Sequence, residues 1–214
     1  MKTVFHALLI VPAFILLTAA ISPNQYEAAM QAAIEHLFKS QSQEELQAVA
    51  NTFERIGQKE TDKWHPLYYG ALSHIMMTFQ IEDNAAKDQQ LDLAKDLVEA
   101  GHKRSPNNSE LAALEGFILM LRIPIDPATR GPQYSGMSMG ALQKAVALND
   151  QNPRAHMMLA DMQFGMARFF GSDNSEGCAT LKKALELFDS FEPASSLDPN
   201  WGKEWAEQNY KQCQ

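Results

Sequence analysis

From residue 24 onward, apolar residues recur at helical spacing in segments separated by short polar turns. Tyr26, Ala29, Met30, Ala33, Ile34, Leu37 and Phe38 mark one face of a helix predicted over 24–38. Leu46, Val49, Ala50, Phe53 and Ile56 mark a second over 44–56, which Gly57 should stop. A third begins near Trp64 with Asp62 as its expected cap, and runs through Leu67, Tyr68, Ala71, Leu72, Ile75 and Met76 to Phe79. It is broadly apolar around Gly70, the mark of a helix packed on two sides. Its partner is expected from Leu91 to Gly101, after a polar stretch over 82–90. Further helices are predicted over 110–122, 137–148, 153–169 and 175–191, with a last one ending near Gln212. Asn152 before Pro153, Asp173 with Glu176, and Asp198 before Pro199 are start signals for the last three. Residues 123–136 break the pattern with three prolines and two glycines, and are expected to pack as an ordered excursion.

The helices come in pairs, and small residues sit where pairs should touch. In a tetratricopeptide repeat (TPR) of about 34 residues, the small residue of one second helix and that of the next first helix lie about 15 positions apart. Gly101 to Gly116 and Ala145 to Ala160 both have that spacing, with Pro106 and Asp150 in the intervening turns. Gly70, Gly116 and Ala160 lie 46 and 44 residues apart, longer than the TPR period and within the range of HEAT-type repeats. TPR-like units are preferred, because the excess falls inside each hairpin while the joint between hairpins keeps its length. The expected fold is therefore all-α: a right-handed superhelix of about four TPR-like hairpins with a C-terminal capping helix. In that last helix Trp201 and Trp205 should face inward, and Glu204, Glu207 and Lys211 outward.

Several short motifs recur in a fixed order: Trp64, Pro66, Tyr68 and Tyr69; Arg-Gly-Pro-Gln-Tyr at 130–134; Asn-Pro-Arg-Ala at 152–155; Phe170 with Gly171; Asp-Pro-Asn-Trp-Gly-Lys at 198–203. In these the chain resembles a family of secreted bacterial TPR-like proteins of unassigned function. The resemblance implies an exported helical-repeat protein, periplasmic or extracellular, and supplies no catalytic residue or ligand. One departure is Ser172, where a second glycine is expected after Gly171.

The first residues have the order of a secretory signal: Lys2, an apolar run over 7–17, then small residues up to Ala20. Residues 1–20 are read as a signal peptide and 21–214 as one TPR-like domain, with no membrane insertion after cleavage. Loss of Lys2 takes the formal net charge from -8 to about -9. Such a surface, without a basic stripe, excludes nucleic acid as a partner.

The chemistry-bearing residues are sparse. No two of the six histidines stand at i, i+4, and the two cysteines form no short metal-ligand motif. A phosphate loop and a nucleophile elbow are also missing, so no enzyme, cofactor or metal is expected. In an oxidising compartment Cys178 and Cys213 suggest a disulfide, provided the last two helices run antiparallel about a turn near Ser195. The groove positions of a TPR array map to Trp64, Leu67, Ala71 and His74, then Glu110, Ala113, Phe117 and Met120, then Arg154, Met157, Asp161 and Phe164. A concave wall of Trp, Phe and Met with one Arg and one Asp suits an extended peptide or a small amphipathic ligand. Two functions follow: a non-catalytic exported scaffold binding a protein or peptide in its groove, or a periplasmic small-molecule-binding accessory of a transport system.

Overall fold

The structure, a computed structural model, describes residues 23–214, so the expected signal peptide lies outside the described residues. Eight helices pair into four hairpins: α1 (Pro23–Lys39) with α2 (Gln43–Lys59), α3 (His65–Thr78) with α4 (Asn84–Arg104), α5 (Ser109–Arg122) with α6 (Pro127–Leu148), and α7 (Pro153–Phe170) with α8 (Ser175–Ser190). A short ninth helix, α9 (Lys203–Tyr210), follows an irregular segment. The inner helices α1, α3, α5 and α7 touch one another in series, and each even-numbered helix packs outside its partner. This is an all-α TPR-like superhelix. Among the described residues no helix is long and apolar enough to cross a membrane.

Local chemistry sets the helix starts. Ser42 and Glu45 form a reciprocal capping box at α2, and Asp83 caps α4 by accepting from the Ala86 amide. Asn108 accepts from Glu110 and Leu111 at α5, and Asn152 accepts from Arg154 and Ala155 at α7. Each such cap contributes about 1 kcal/mol. At the seams the small residues permit contact that a larger one would block. A Cβ on Gly116 would lie 2.5 Å from Leu142 Cγ, and one on Gly101 would lie 2.8 Å from Leu111 Cδ2. The α5–α6 seam is also bonded: Ser138 Oγ donates to the Gly116 carbonyl at 2.8 Å, and Ser109 Oγ donates to that of Ala145 at 2.8 Å.

Six local expectations need correction. Gly57 lies inside α2, which runs on to Lys59, and Asp173 with Glu176 forms no capping box at α8, whose cap position is Asn174 without a side-chain bond. The polar stretch is helical from Asn84 onward, because Asp83 caps α4 ahead of the apolar pattern. The excursion over 123–136 is a 3-10 turn (Ile123–Ile125) followed by the first turns of α6. Asp126 caps that start with Pro127 in the first turn, and Arg130 grips the Asp88 carboxylate of α4 at 2.7 and 2.6 Å. Pro132 then forfeits a single helical bond, which those anchors offset. Asp62 does not cap α3, whose cap position is Trp64 with no side-chain bond. Asp198 does not start α9, since its carboxylate accepts from the Ser195 amide and α9 begins after Gly202, at φ +107°.

Candidate functional site

The concave face is occupied by the chain itself. After α8 the segment 191–202 returns across the inner helices, and α9 continues along them. Ser196 hydrogen-bonds Glu27 of α1. His65 Nε2 meets Asp198 Oδ1 at 2.8 Å, and the Tyr69 hydroxyl donates to the Leu197 carbonyl at 3.1 Å. Trp201 Nε1 donates to the Tyr68 hydroxyl at 3.1 Å. Arg154 Nη1 donates to the Trp201 carbonyl at 3.3 Å. Trp205 lies edge-on to Phe117 with ring centres 5.4 Å apart, and Asn209 donates to Asp161 Oδ1 at 2.7 Å. Cys213 is joined to Cys178 of α8 by a disulfide. Thus α9 packs on α8, as a capping helix does, and also reaches across α7, α5 and α3.

Arg154 is the hub of this arrangement. Its side chain is fully buried, and its guanidinium binds both oxygens of Glu110 on α5 at 2.7–3.1 Å. The Phe191 ring lies 4.5 Å from its centre on another side. Burial opposes the charge, but Glu110 outweighs burial, so the guanidinium is held charged above its ordinary range. The phenols of Tyr68 and Tyr69 are pushed up by burial and stay neutral, Tyr69 donating to the Leu197 carbonyl and Tyr68 accepting from Trp201. His65 is lowered by burial, against the pull of Asp198, and favours its neutral form. Burial raises Asp161 to about 7, partly opposed by the Asn209 bond, and its Oδ2 is sealed without a partner.

Beside Trp205, in the first turn of α9, the tail leaves aromatic surface open. Phe79, at the C-terminus of α3, is 59% exposed and stands 6.4 Å from Phe117 and 6.3 Å from Trp205 between ring centres. Met120 and Leu121 are half-buried on the same end of α5. Beside Phe79 a cleft of about 170 Å³ opens between α3, α4 and the end of α5.

The sequence-derived groove residues divide by helix. Glu110, Phe117, Arg154, Met157 and Asp161 face the tail; Met157 approaches the Cα side of Gly202, where a Cβ would lie 3.3 Å from its Cε. Phe164 instead packs on Gly177 of α8, with 2.6 Å left for a Cβ there. On α3 only Trp64 stays near the groove, edge-on to Tyr68. His74 is a correction: it is buried among the outer helices, with Nδ1 at 2.7 Å from Gln90 and Nε2 at 3.4 Å from Glu54. Leu67 likewise packs toward Gly57 of α2. The residues that do face inward, His65, Tyr68, Tyr69 and Phe79, were not placed in the groove by counting. A signal for three of them did exist. The Trp-His-Pro-Leu-Tyr-Tyr run, the Asn-Pro-Arg-Ala run and the Asp-Pro-Asn-Trp run, far apart in sequence, meet at this one junction. Among the described residues no cluster of three His, Cys, Asp or Glu side chains is placed to hold a metal ion.

A helical-repeat superhelix with a self-filled concave face defines the class: this is a TPR-like helical protein. Two solved bacterial structures share the fold. The HusA haemophore from Porphyromonas gingivalis superposes with a TM-score of 0.80 at 22% identity, over 90% of this chain and 94% of that one. A thermophilic TPR protein from Thermus thermophilus superposes with a TM-score of 0.50 at 17% identity, over 88% of this chain and 90% of that one. No protein-family model and no curated protein sequence matches the chain.

Proposed function

We propose that this protein is an exported, non-catalytic carrier that holds a flat apolar ligand of the porphyrin class against Phe79 and Trp205, with the buried Phe117 ring supporting both from behind. The observation that carries this reading is the division of the concave face. Its middle, where a TPR array takes a peptide, is filled by residues 196–209, whereas its far end presents an aromatic wall with Phe79 open to solvent. A planar ring stacks on such a wall at little cost in side-chain entropy, since the wall is already ordered by its own ring contacts. The fold shared with a haemophore supports the ligand class. The two groove carboxylates, Glu110 and Asp161, are engaged by Arg154 and Asn209, which suits holding a ligand and not turning one over.

Titration of the chain lacking residues 1–20 with mesoporphyrin and with hemin tests this, read by quenching of tryptophan fluorescence and by the porphyrin absorption band. Saturable one-to-one binding is expected, weakened about tenfold by Phe79→Ala, the loss of one stacking contact of about 1.4 kcal/mol. Binding that does not saturate, or that ignores Phe79, sinks the proposal.

One observation favours the peptide-scaffold reading as the second. The tail is itself a peptide held through its main chain, at the Leu197 and Trp201 carbonyls, so the groove has the donors a peptide needs. A synthetic copy of residues 191–214 that binds the intact protein would move the function to that reading.

A further inference from the structure

The cleft beside Phe79 has a composition that the aromatic wall does not explain. It is lined mainly by apolar groups, Phe79, Leu91, Leu121 and Ile125 among them, and its single charged lining residue is Lys87 of α4. No acid lines it. The other acids on this part of α4 are placed elsewhere: Asp88 is gripped by Arg122 and Arg130, and Asp83 caps the helix through the Ala86 amide. Lys87 forms no ion pair among the described residues. The other side-chain donors on the wall are engaged within the fold, the Asn84 amide with the Ile125 carbonyl at 3.2 Å and the Thr78 hydroxyl with that of Ile75 at 2.7 Å. An ammonium with unspent donors, at the mouth of an apolar cleft, favours one chemistry: an apolar arm ending in an anion.

Size narrows it further. An apolar cavity of about 150 Å³ takes one benzene ring. A cleft of about 170 Å³ therefore admits a side arm of a few carbons and excludes a macrocycle. We propose that this cleft is a subsite for the carboxylate-bearing arm of the ligand, with Lys87 as the anion partner. The ring then rests on Phe79 and Trp205 while one carboxylate arm drops between α3 and α4. This inference takes the ring from the porphyrin reading above, but the cleft's preference for a short apolar carboxylate stands without it.

The test compares mesoporphyrin, its dimethyl ester and octanoate against the wild type and the Lys87→Glu and Lys87→Arg variants, with thermal unfolding to show that all three fold alike. The diester and Lys87→Glu should each weaken porphyrin binding about tenfold, with Lys87→Arg close to wild type. Octanoate should perturb the amide resonances of Leu91 and Leu121 in the wild type and not in Lys87→Glu. Equal affinity for acid and diester, together with indifference to Lys87→Glu, overturns the subsite. If no porphyrin binds, the porphyrin reading fails separately, and octanoate decides the cleft: binding that depends on Lys87 keeps it, and no binding overturns it.

Discussion

The helical body and the tail that crosses it are held by different means. In the body each seam is local: Gly101 meets Leu111, Gly116 meets Leu142, and Ser109 meets Ala145, all within one repeat length. A repeat array built this way is stabilised neighbour by neighbour and frays from its ends. The tail works across the whole chain. Asp198 and Trp201 bond residues 133 positions earlier, and Ser196 bonds one 169 positions earlier. One segment therefore touches α1, α3, α5, α7 and α8, and ties the first hairpin to the last. The difference shows how a one-dimensional array becomes a single cooperative unit.

The strongest way to break the comparison is at the residue both regions share. Arg154→Ala leaves Glu110 without its partner in a mostly buried site and removes the donor to the Trp201 carbonyl. Breaking a buried pair in this way costs about 4 kcal/mol, which urea unfolding would measure. A loss below about 1 kcal/mol would mean that water replaces the guanidinium and that the hub is not a hub. Next comes the tail alone. Replacing Cys178 and Cys213 by Ser opens a loop with a sequence separation of 35, worth up to about 4 kcal/mol by chain entropy and about 3 in practice. Amide exchange should quicken in α9 and stay unchanged in α5 and α6. Equal acceleration everywhere would show that the bridge supports the body as much as the tail.

The body alone is reached at Gly116. With 2.5 Å to Leu142, Gly116→Ala must push α6 away from α5, at about 2 kcal/mol after the gain in helix propensity. Gly140→Ala on α6, where nothing lies within 4 Å of the added carbon, should instead stabilise by about 0.5 kcal/mol. Opposite signs from one chemical change isolate the seam; the same sign from both would remove close packing as its cause.

The same contrast governs what was legible in the sequence. The body was readable because its contacts follow helical period and small-residue spacing. On α5 and α7, counting from the small residues Gly116 and Ala160 put Glu110, Phe117, Arg154, Met157 and Asp161 on the inner side, and missed only at Phe164, which packs on Gly177. On α3 the register was lost. Counting from Gly70 selected Leu67 and His74, which point at α2 and α4. The tail's path was illegible for a different reason. Its partners at Leu197 and Trp201 are main-chain carbonyls, which every residue has, and the contacts span more than a hundred positions. The cleft at Lys87 was hidden because residues 82–90 read as a polar linker, while in the structure they form the first turns of α4 from Asn84 onward.

An effect that vanishes at low pH sharpens the tail's own two ends. Burial raises Asp161 to about 7, whereas its unfolded value is that of an ordinary carboxyl near 4. Between those values the folded chain keeps a proton that the unfolded chain has released. Stability is therefore fully present below about pH 4 and is lost as pH rises through 7. Asp161→Asn keeps the bond from Asn209 without the charge, so it should stabilise by about 2 kcal/mol at pH 8, half the full linkage value because the residue is partly exposed, and by nothing at pH 4. His65, at the other end, is lowered by burial, so its contribution is present above about pH 6.5 and lost on acidification. Acid thus loosens the Asp198 end of the tail while it tightens the Asn209 end, and exchange rates at Leu197 and Asn209 should move in opposite directions between pH 5 and 8. A stabilisation by Asp161→Asn that is the same at both pH values would show that this carboxylate is already charged in the fold at pH 4, and that burial does not make it keep its proton.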